Sequence, residues 1–456
     1  MNEKRKSNRK PGSSKDRRGA SDAAGAVHAV LKSEAPVSRG LLIQTAQVIG
    51  LVLQFEYPAD GVLSRHFRDN RELGQRDRGF VAETVYGILR RLRWLRRLVG
   101  EDARPRAMLL GWLARGEGWP MRYFDGLVSP TELSWIEEIK ARALDEGSLA
   151  ERTDLPDWLV ERLLPVYGEE GLVKLAHSLN RAAPLDLRAN LMKTNRDDLL
   201  QALRNSGVEA EACAFSPSGV RLAGKPALQK HPLFLSGDFE VQDEGSQLLG
   251  FLVQPRRGEL VVDFCAGAGG KTLQLGAMMR STGRLYAFDV SDKRLAKLKP
   301  RFARAGLSNV HPVLIAHERD AKVKKLAGKA DRVLVDAPCS GLGTLRRNPD
   351  LKWRQTPAGV DEMVVKQSDI LESAARLVRP GGRLVYATCS LLVEENDGIV
   401  DHFLSQHPEF VQLDASDLLA RQDIPVATGE RLRLLPSLHD TDGFFAAVLE
   451  RVANDG

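Results

Sequence analysis

The chain has 456 residues, 43% of them hydrophobic, and a formal charge of +6 at neutral pH. That length exceeds one compact core, so two or three domains are expected. No apolar run is long enough to cross a bilayer, and the N-terminal MNEKRKSNRKPGSSKDRRGAS lacks the apolar stretch of a secretory signal, which points away from membrane and secreted classes and toward a cytoplasmic protein.

In chain order, residues 1–24 are polar and basic and are expected to form a disordered tail. Residues 25–146 read as all-α, with apolar residues at three- and four-residue spacing in RGLLIQTAQVIGLVLQF and RGFVAETVYGILRRLRWLRRLV. The second stretch carries Arg90, Arg91, Arg93, Arg96 and Arg97. Such a cluster suits nucleic acid, or else is a solvated helix face.

Residues 147–235 read as a small α/β module. DLPDWLVERLLPVYGEEGLVKLAHSLN looks like short helices broken by proline, LDLRANLMK and GVRLAG like strands, and TNRDDLLQALRNSGV like a capped helix. From 236 to 456 strands alternate with helices. The strands are ELVVDFCAG, RLYAFDV, VHPVLIA, ADRVLVDAPCS and GRLVYATCS. The helices are KTLQLGAMMRS, SDKRLAKLKPRFARAG, EENDGIVDHFLSQHP and a long one, DEMVVKQSDILESAARLVRPGG, stopped by Pro380, Gly381 and Gly382. This rhythm implies a Rossmann-like parallel sheet with helices on both faces. GFFAAVLERV is placed as an antiparallel edge strand.

Ligands of such sheets sit at the carboxyl ends of the strands. The reactive residues there are Cys265, Asp289, Asp336, Cys339 and Cys389. The four cysteines, these three and Cys213, include no CxxC pair, so no metal site is expected.

Cys265-Ala266-Gly267-Ala268-Gly269-Gly270-Lys271 joins the first of these strands to its helix. A phosphate-binding loop would need glycine where Cys265 stands, and a dinucleotide fingerprint would need it where Thr272 stands. S-adenosylmethionine fits better. Loop amides and Lys271 suit its carboxylate, and Asp289 suits its ribose hydroxyls.

Asp336-Ala-Pro-Cys339-Ser and Tyr386-Ala-Thr-Cys389-Ser end two further strands. A lone strand-end cysteine is an ordinary small apolar residue. Two of them beside an aspartate and a glycine loop suit pyrimidine methylation: one thiolate activates the ring through C6, the second assists release, and Asp336 stabilises charge near N3. The following GLGTLRRNPDLKWR is glycine-rich, then basic with one Trp. It reads either as a loop gripping RNA and stacking a base, or as a charged loop anchored by Trp353.

DFCAGAGGKT, AFDVSDKRL, DAPCSGLGTLRRNPDLKW, RLVYATCSLLVEEND and TDGFF, with LDLRANLMKT and VQDEGSQL upstream, resemble the Sun/Fmu group of RNA cytosine-C5 methyltransferases, the NOL/NOP/Sun family, over about residues 150–450. The resemblance implies Cys389 as nucleophile and Cys339 as the release cysteine. It implies Cys265 to Lys271, Asp289, Asp320 and Asp336 as cofactor contacts, Asp336 also touching the base. CAGAGGKT departs from the family's usual CAAPGGKT at Gly267 and Ala268. LGQRDRGFVAETVYGILRR is similar to the NusB-like helical domain of bacterial ribosomal RNA members, which implies small-subunit ribosomal RNA as substrate and an RNA role for the arginines. A monomer without metal is expected. Two rival readings stand beside this one. One is an RNA-binding ribosome-assembly factor with a vestigial site, marked by failure to bind S-adenosylmethionine. The other is an NAD-dependent oxidoreductase, which the failed fingerprint disfavours.

Overall fold

The structure, a computed structural model, describes residues 37–453. The expected disordered tail lies outside them, as do residues 25–36 of the expected helical region. Among the described residues no strand precedes Leu185. The first part is built from helices Arg39–Val52, Ala59–Asp69, Gln75–Arg90, Leu92–Val99, Pro105–Gly111 and Pro130–Ala141. Ser38 starts the first by accepting from the Leu41 amide, and Leu41, Leu42, Val48, Ile49 and Val52 form its buried stripe. The arginine-rich stretch is two helices, broken at Arg91 (φ −116°, ψ 31°).

Helix Asp157–Leu179 is interrupted at Gly168, where φ is 66°, and not at Pro165. Only glycine takes that left-handed turn without strain. A four-stranded antiparallel sheet follows, ordered β2-β3-β1-β4 from β1 (Leu185–Ala189), β2 (Ala210–Ala212), β3 (Gly219–Leu222) and β4 (Phe239–Val241). β4 lies beyond the expected module limit at 235. Helix Arg196–Asn205 is capped by the Asn195 side chain, as its sequence implies.

The eight-stranded sheet contains β5 (Leu260–Asp263), β6 (Arg284–Asp289), β7 (Val310–Leu314), β8 (Ala330–Asp336), β9 (Val378–Thr388), β10 (Phe410–Leu413), β11 (Leu432–Leu434) and β12 (Phe444–Arg451). Its order is β10-β12-β9-β8-β5-β6-β7, with β11 paired to β12. β5 to β9 are mutually parallel, giving the Rossmann-like α/β sheet expected. Successive residues bury to opposite faces: Val261, Val385 and Ala387 join one core cluster, and Val262, Leu384 and Tyr386 the other.

Two expectations are corrected. β12 is antiparallel but internal, hydrogen-bonded to both β9 and β10, because its apolar run is buried on both faces. The Pro-Gly-Gly at 380–382 does not stop the long helix, which ends at Ala375. It forms an irregularity inside β9, between the Ala330↔Val378 and Arg332↔Arg383 pairings, where proline's missing N–H is tolerated.

The chain passes from β5 through β6 and β7 and returns on the other side of β5 as β8. The switch point therefore lies between β5 and β8, the place where sheets of this kind take their ligands.

Candidate active site at the carboxyl ends of the central strands

The glycine loop leaves β5 at this switch point. Asp263 is fully buried, accepts from Thr272 Oγ1 at 2.6 Å, and leaves its Oδ1 without a partner. Burial pushes its carboxyl up to about 7. Gly267 (φ 57°) has open space where a Cβ would stand, so a ligand can approach its backbone. Gly269 (φ 85°) would instead drive a Cβ into Leu298 at 2.0 Å. Asp289, at the end of β6, accepts from the Gly267 amide at 2.9 Å and the Ser291 amide at 2.7 Å. Acid and loop are thus joined before any ligand arrives. Beneath them, buried Arg188 of β1 donates to the Gly270 carbonyl at 2.8 Å, a support the sequence did not reveal.

Lys271 reaches across to Asp336 at the end of β8, 2.6 Å away, with Phe444 5.7 Å from its ammonium. Burial opposes the ammonium, but Asp336 outweighs it and holds the Lys271 pKa above the ordinary value. Cys265 is inert by comparison, its thiol raised by burial and by Asp263.

Cys339 and Cys389 meet with their sulfurs 3.5 Å apart. The Cys339 thiol is raised well above its usual value, first by its hydrogen bond with Cys389 and next by burial. The Gly343 amide donates to the Cys389 carbonyl, and the Gly443 amide to the Gly343 carbonyl, both at 2.8 Å. A Cβ on Gly343 would stand 2.2 Å from the Gly443 oxygen and 2.8 Å from the Cys389 oxygen. Gly343→Ala is therefore expected to lower kcat at least about tenfold and stability by roughly 2 kcal/mol, as overpacking against backbone does. Methyl transfer and thermal unfolding of the variant check this; an unchanged kcat refutes it.

The segment after Cys339 is anchored by Trp353, as the second reading expected, and much of its charge is paired within the chain. Trp353 donates to the Leu89 carbonyl at 2.9 Å, and buried Lys352 to the Arg90 carbonyl and Asn180, both at 2.9 Å. Arg347 is held by Asp243 at 2.8 Å and Asp442 at 2.6 Å, and Arg346 by Asp440 at 2.8 Å. The arginine cluster is also used internally. Arg90 bonds the Arg346 carbonyl at 3.2 Å, Arg91 sits 2.9 Å from Asp154, Arg93 2.9 Å from Asp157, and Arg97 3.0 Å from Glu151. Four of the five arginines thus tie the first helices to the rest of the chain. Alternation of charge gave no hint of this, because the partners lie far along the sequence.

Asp320 stands apart from the loop's hydrogen bonds. Its carboxylate accepts from the Ala316 amide at 2.9 Å and the Lys322 amide at 2.8 Å, capping helix Ala321–Lys324. Cys213 is buried in the four-stranded module. A cavity of about 400 Å³ lined by Tyr167, Lys174, His177 and Leu438 contains none of the expected site residues. Among the described residues no cluster of three His, Cys, Asp or Glu is placed to hold a metal, and no helix is long and apolar enough to cross a membrane.

Residues 250–450 match the family model described as 16S rRNA methyltransferase RsmB/F, and residues 155–229 match the ferredoxin-like domain of RsmF/B-like methyltransferases. A Synechocystis sp. protein named "Probable ribosomal RNA small subunit methyltransferase B" is 33% identical over 86% of this chain and 94% of its own length. The chain belongs to the RsmB/F family. Two solved structures share the architecture of this RsmB/F member. PH0851 matches at TM-score 0.73 and 27% identity over 92% of this chain and all of its own. A methyltransferase homolog from Pyrococcus horikoshii matches at 0.57 and 26% over 71% of this chain and all of its own.

Membership in RsmB/F makes the protein a methyltransferase of small-subunit ribosomal RNA, with S-adenosylmethionine as methyl donor. The rim fits that donor: an open glycine loop, an acid at the next strand end, and a buried carboxylate oxygen still lacking a partner. The ferredoxin-like match names the small module whose β1 supplies Arg188.

Proposed function

We propose that this protein methylates carbon 5 of a cytosine in small-subunit ribosomal RNA, in the cytoplasm, with Cys389 as covalent nucleophile. The observation that carries this reading is the 3.5 Å approach of the Cys339 and Cys389 sulfurs. The Lys271–Asp336 pair stands within electrostatic reach of Cys389.

S-adenosylmethionine supplies an electrophilic methyl group on a sulfonium. Loop residues Cys265 to Lys271 and Asp289 are assigned to holding it, the amides and Lys271 at its carboxylate and Asp289 at its ribose. Asp320, at the start of the helix after β7, is assigned to the same set, with one oxygen on the Lys322 amide and the other on the Ala316 amide.

Aromatic cytosine is a weak nucleophile at C5. The Cys389 thiolate adds to C6, forming an S–C6 bond and pushing the C5–C6 electron pair into the ring as an enamine. The displaced electron pair reaches N3, where Asp336 is assigned to relay a proton from the Lys271 ammonium, and that proton returns by the same route when the ring rearomatises. C5, made nucleophilic by the Cys389 adduct, would then accept the methyl group that S-adenosylmethionine held by the Cys265 to Lys271 loop would supply, the thioether being its leaving group. A solvent base removes the C5 proton, the double bond re-forms, and the S–C6 bond breaks to return the thiolate. The Cys339 thiol keeps its proton at neutral pH and donates it as a hydrogen bond to the departing sulfur.

Cys339→Ala removes that donor. With small-subunit RNA lacking the modification and S-adenosylmethionine, it is expected to accumulate a protein–RNA adduct that survives denaturing electrophoresis. Adding Cys389→Ala should abolish the adduct. An adduct that persists in the double variant, or none in either, sinks the mechanism.

A further inference from the structure

The β8–β9 ladder ends at Asp336↔Ala387, short of both cysteines. One further main-chain bond, from the Ala337 amide to the Ala387 carbonyl at 2.8 Å, closes it. Sheet pairing therefore does not itself fix the two sulfurs.

Besides the Gly343–Cys389 main-chain bond, one carboxylate joins the diverging segments. Glu395 is fully buried on the short turn Val393–Glu395. Its Oε1 accepts from the Ser340 amide at 2.7 Å and from Gln367 Nε2 at 3.0 Å. Its Oε2 accepts from Ser340 Oγ at 2.5 Å and from Ser390 Oγ. Ser340 and Ser390 directly follow the two cysteines, and their hydroxyls lie 3.1 Å apart. Gln367 also donates to the Pro338 carbonyl at 2.9 Å, so the residues on both sides of Cys339 are held. The Glu395 backbone is pinned as well, its carbonyl accepting from Tyr386 at 2.7 Å. None of these partners is a cation. An unpaired buried carboxylate is expensive to keep, and it persists only when its acceptors are filled and its position matters.

We propose that Glu395 is the positioning residue of the thiol pair: it clamps the Cys339 and Cys389 segments through Ser340 and Ser390, setting the distance between the sulfurs and which of them holds the proton. The proposal rests on the two-cysteine reading above. The charge of Glu395 acts in the same direction, since it is among the groups that raise the Cys339 thiol. Glu394, its neighbour, does something else: it pairs with Arg162 at 2.5 Å.

Glu395→Gln keeps the shape, removes the charge and replaces one acceptor by a donor. In the full-length protein it is expected to lower kcat by about 10- to 100-fold with KM for RNA nearly unchanged, the pattern of a loss felt after binding. The rate of Cys339 alkylation by iodoacetamide, mapped by peptide mass, should titrate at lower pH than in the wild type, because a negative charge that raises this thiol is gone. Ser390→Ala, a milder cut, should show a smaller shift in kcat with the charge, and hence the pH profile, retained. If Glu395→Gln alkylates with the wild-type pH profile, or keeps kcat within about twofold, the clamp is refuted. Loss of activity explained by a lower Tm alone, with the thiol titration unmoved, refutes it too. Alkylation reads the thiols whether or not RNA is methylated. A wild-type protein inactive on RNA but with a Glu395-dependent thiol titration would therefore overturn the cytosine reading and leave the clamp standing.

Discussion

Cys389→Ala is expected to reduce methyl transfer by roughly 10⁴-fold or more, the scale on which removal of a covalent nucleophile acts. S-adenosylmethionine binding should stay within about threefold of wild type, because the glycine loop and Asp289 hold each other without the sulfur. The fold should survive as well. Cys389 is only partly buried, its neighbours Thr388 and Ser390 are fixed by Asn396 and Glu395, and its carbonyl is held by the Gly343 amide. Serine in its place should be nearly as inactive, since a hydroxyl is far less ionised than a thiol at neutral pH. Calorimetry with S-adenosylmethionine, together with single-turnover transfer to unmodified small-subunit RNA, separates the two effects. Turnover within tenfold of wild type in the alanine variant would end the covalent account.

Asp154→Asn should be the most damaging substitution away from the rim. Asp154 is fully buried beside Arg91 and accepts from the Trp94 amide at 2.9 Å. It is also the leading charge favouring the ammonium of buried Lys352. Burial pushes the Asp154 carboxyl up and brings the Lys352 amine down to about 7. Removing the carboxylate leaves the buried Lys352 ammonium bonded only to neutral groups, the Arg90 carbonyl and Asn180, with its leading counter-charge gone, a loss of about 3 kcal/mol.

The sign of the pH dependence follows. In the unfolded chain Lys352 titrates near the ordinary 10.5 of a lysine and in the folded chain at about 7. Between those values the unfolded state binds the extra proton, so this residue's contribution makes stability rise with pH across that window. Below it both states are protonated and the cost of the buried ammonium is borne in full. The damage in Asp154→Asn should therefore be larger at pH 6 than at pH 8.5. Lys352→Met in that background should recover at least half of the loss. Urea unfolding of the single and double variants at the two pH values checks this. A loss under about 1 kcal/mol, or no recovery, contradicts it. Because Lys352 belongs to the segment that follows Cys339, kcat should fall along with stability.

The strand-end positions were legible because they follow from local rules. Apolar runs ending in Asp263, Asp289, Asp336 and Thr388 are strands wherever they occur, and parallel sheets expose those ends on one rim. The glycine loop was legible for the same reason: its backbone angles demand particular residues. The roles of Glu395, Gln367, Arg188 and Gly343 were not legible. Each acts on a residue distant in sequence, and a buried glutamate and a solvated one look alike in a string of letters. The arginine cluster shows a different limit: its local charge signal carried no information about the remote carboxylates that Arg91, Arg93 and Arg97 pair with.

The amino-acid order alone thus determined which residues carry reactive groups, which segments become strands, and that the two thiols would end neighbouring ones. Folding decided the rest: that β12 enters the sheet's interior, that the basic loop is a buried strut against the first helices, and that one uncompensated carboxylate holds both thiol segments. The reason is range. Backbone preference and periodicity are set by a few adjacent residues, whereas burial and charge pairing depend on what the rest of the chain brings alongside.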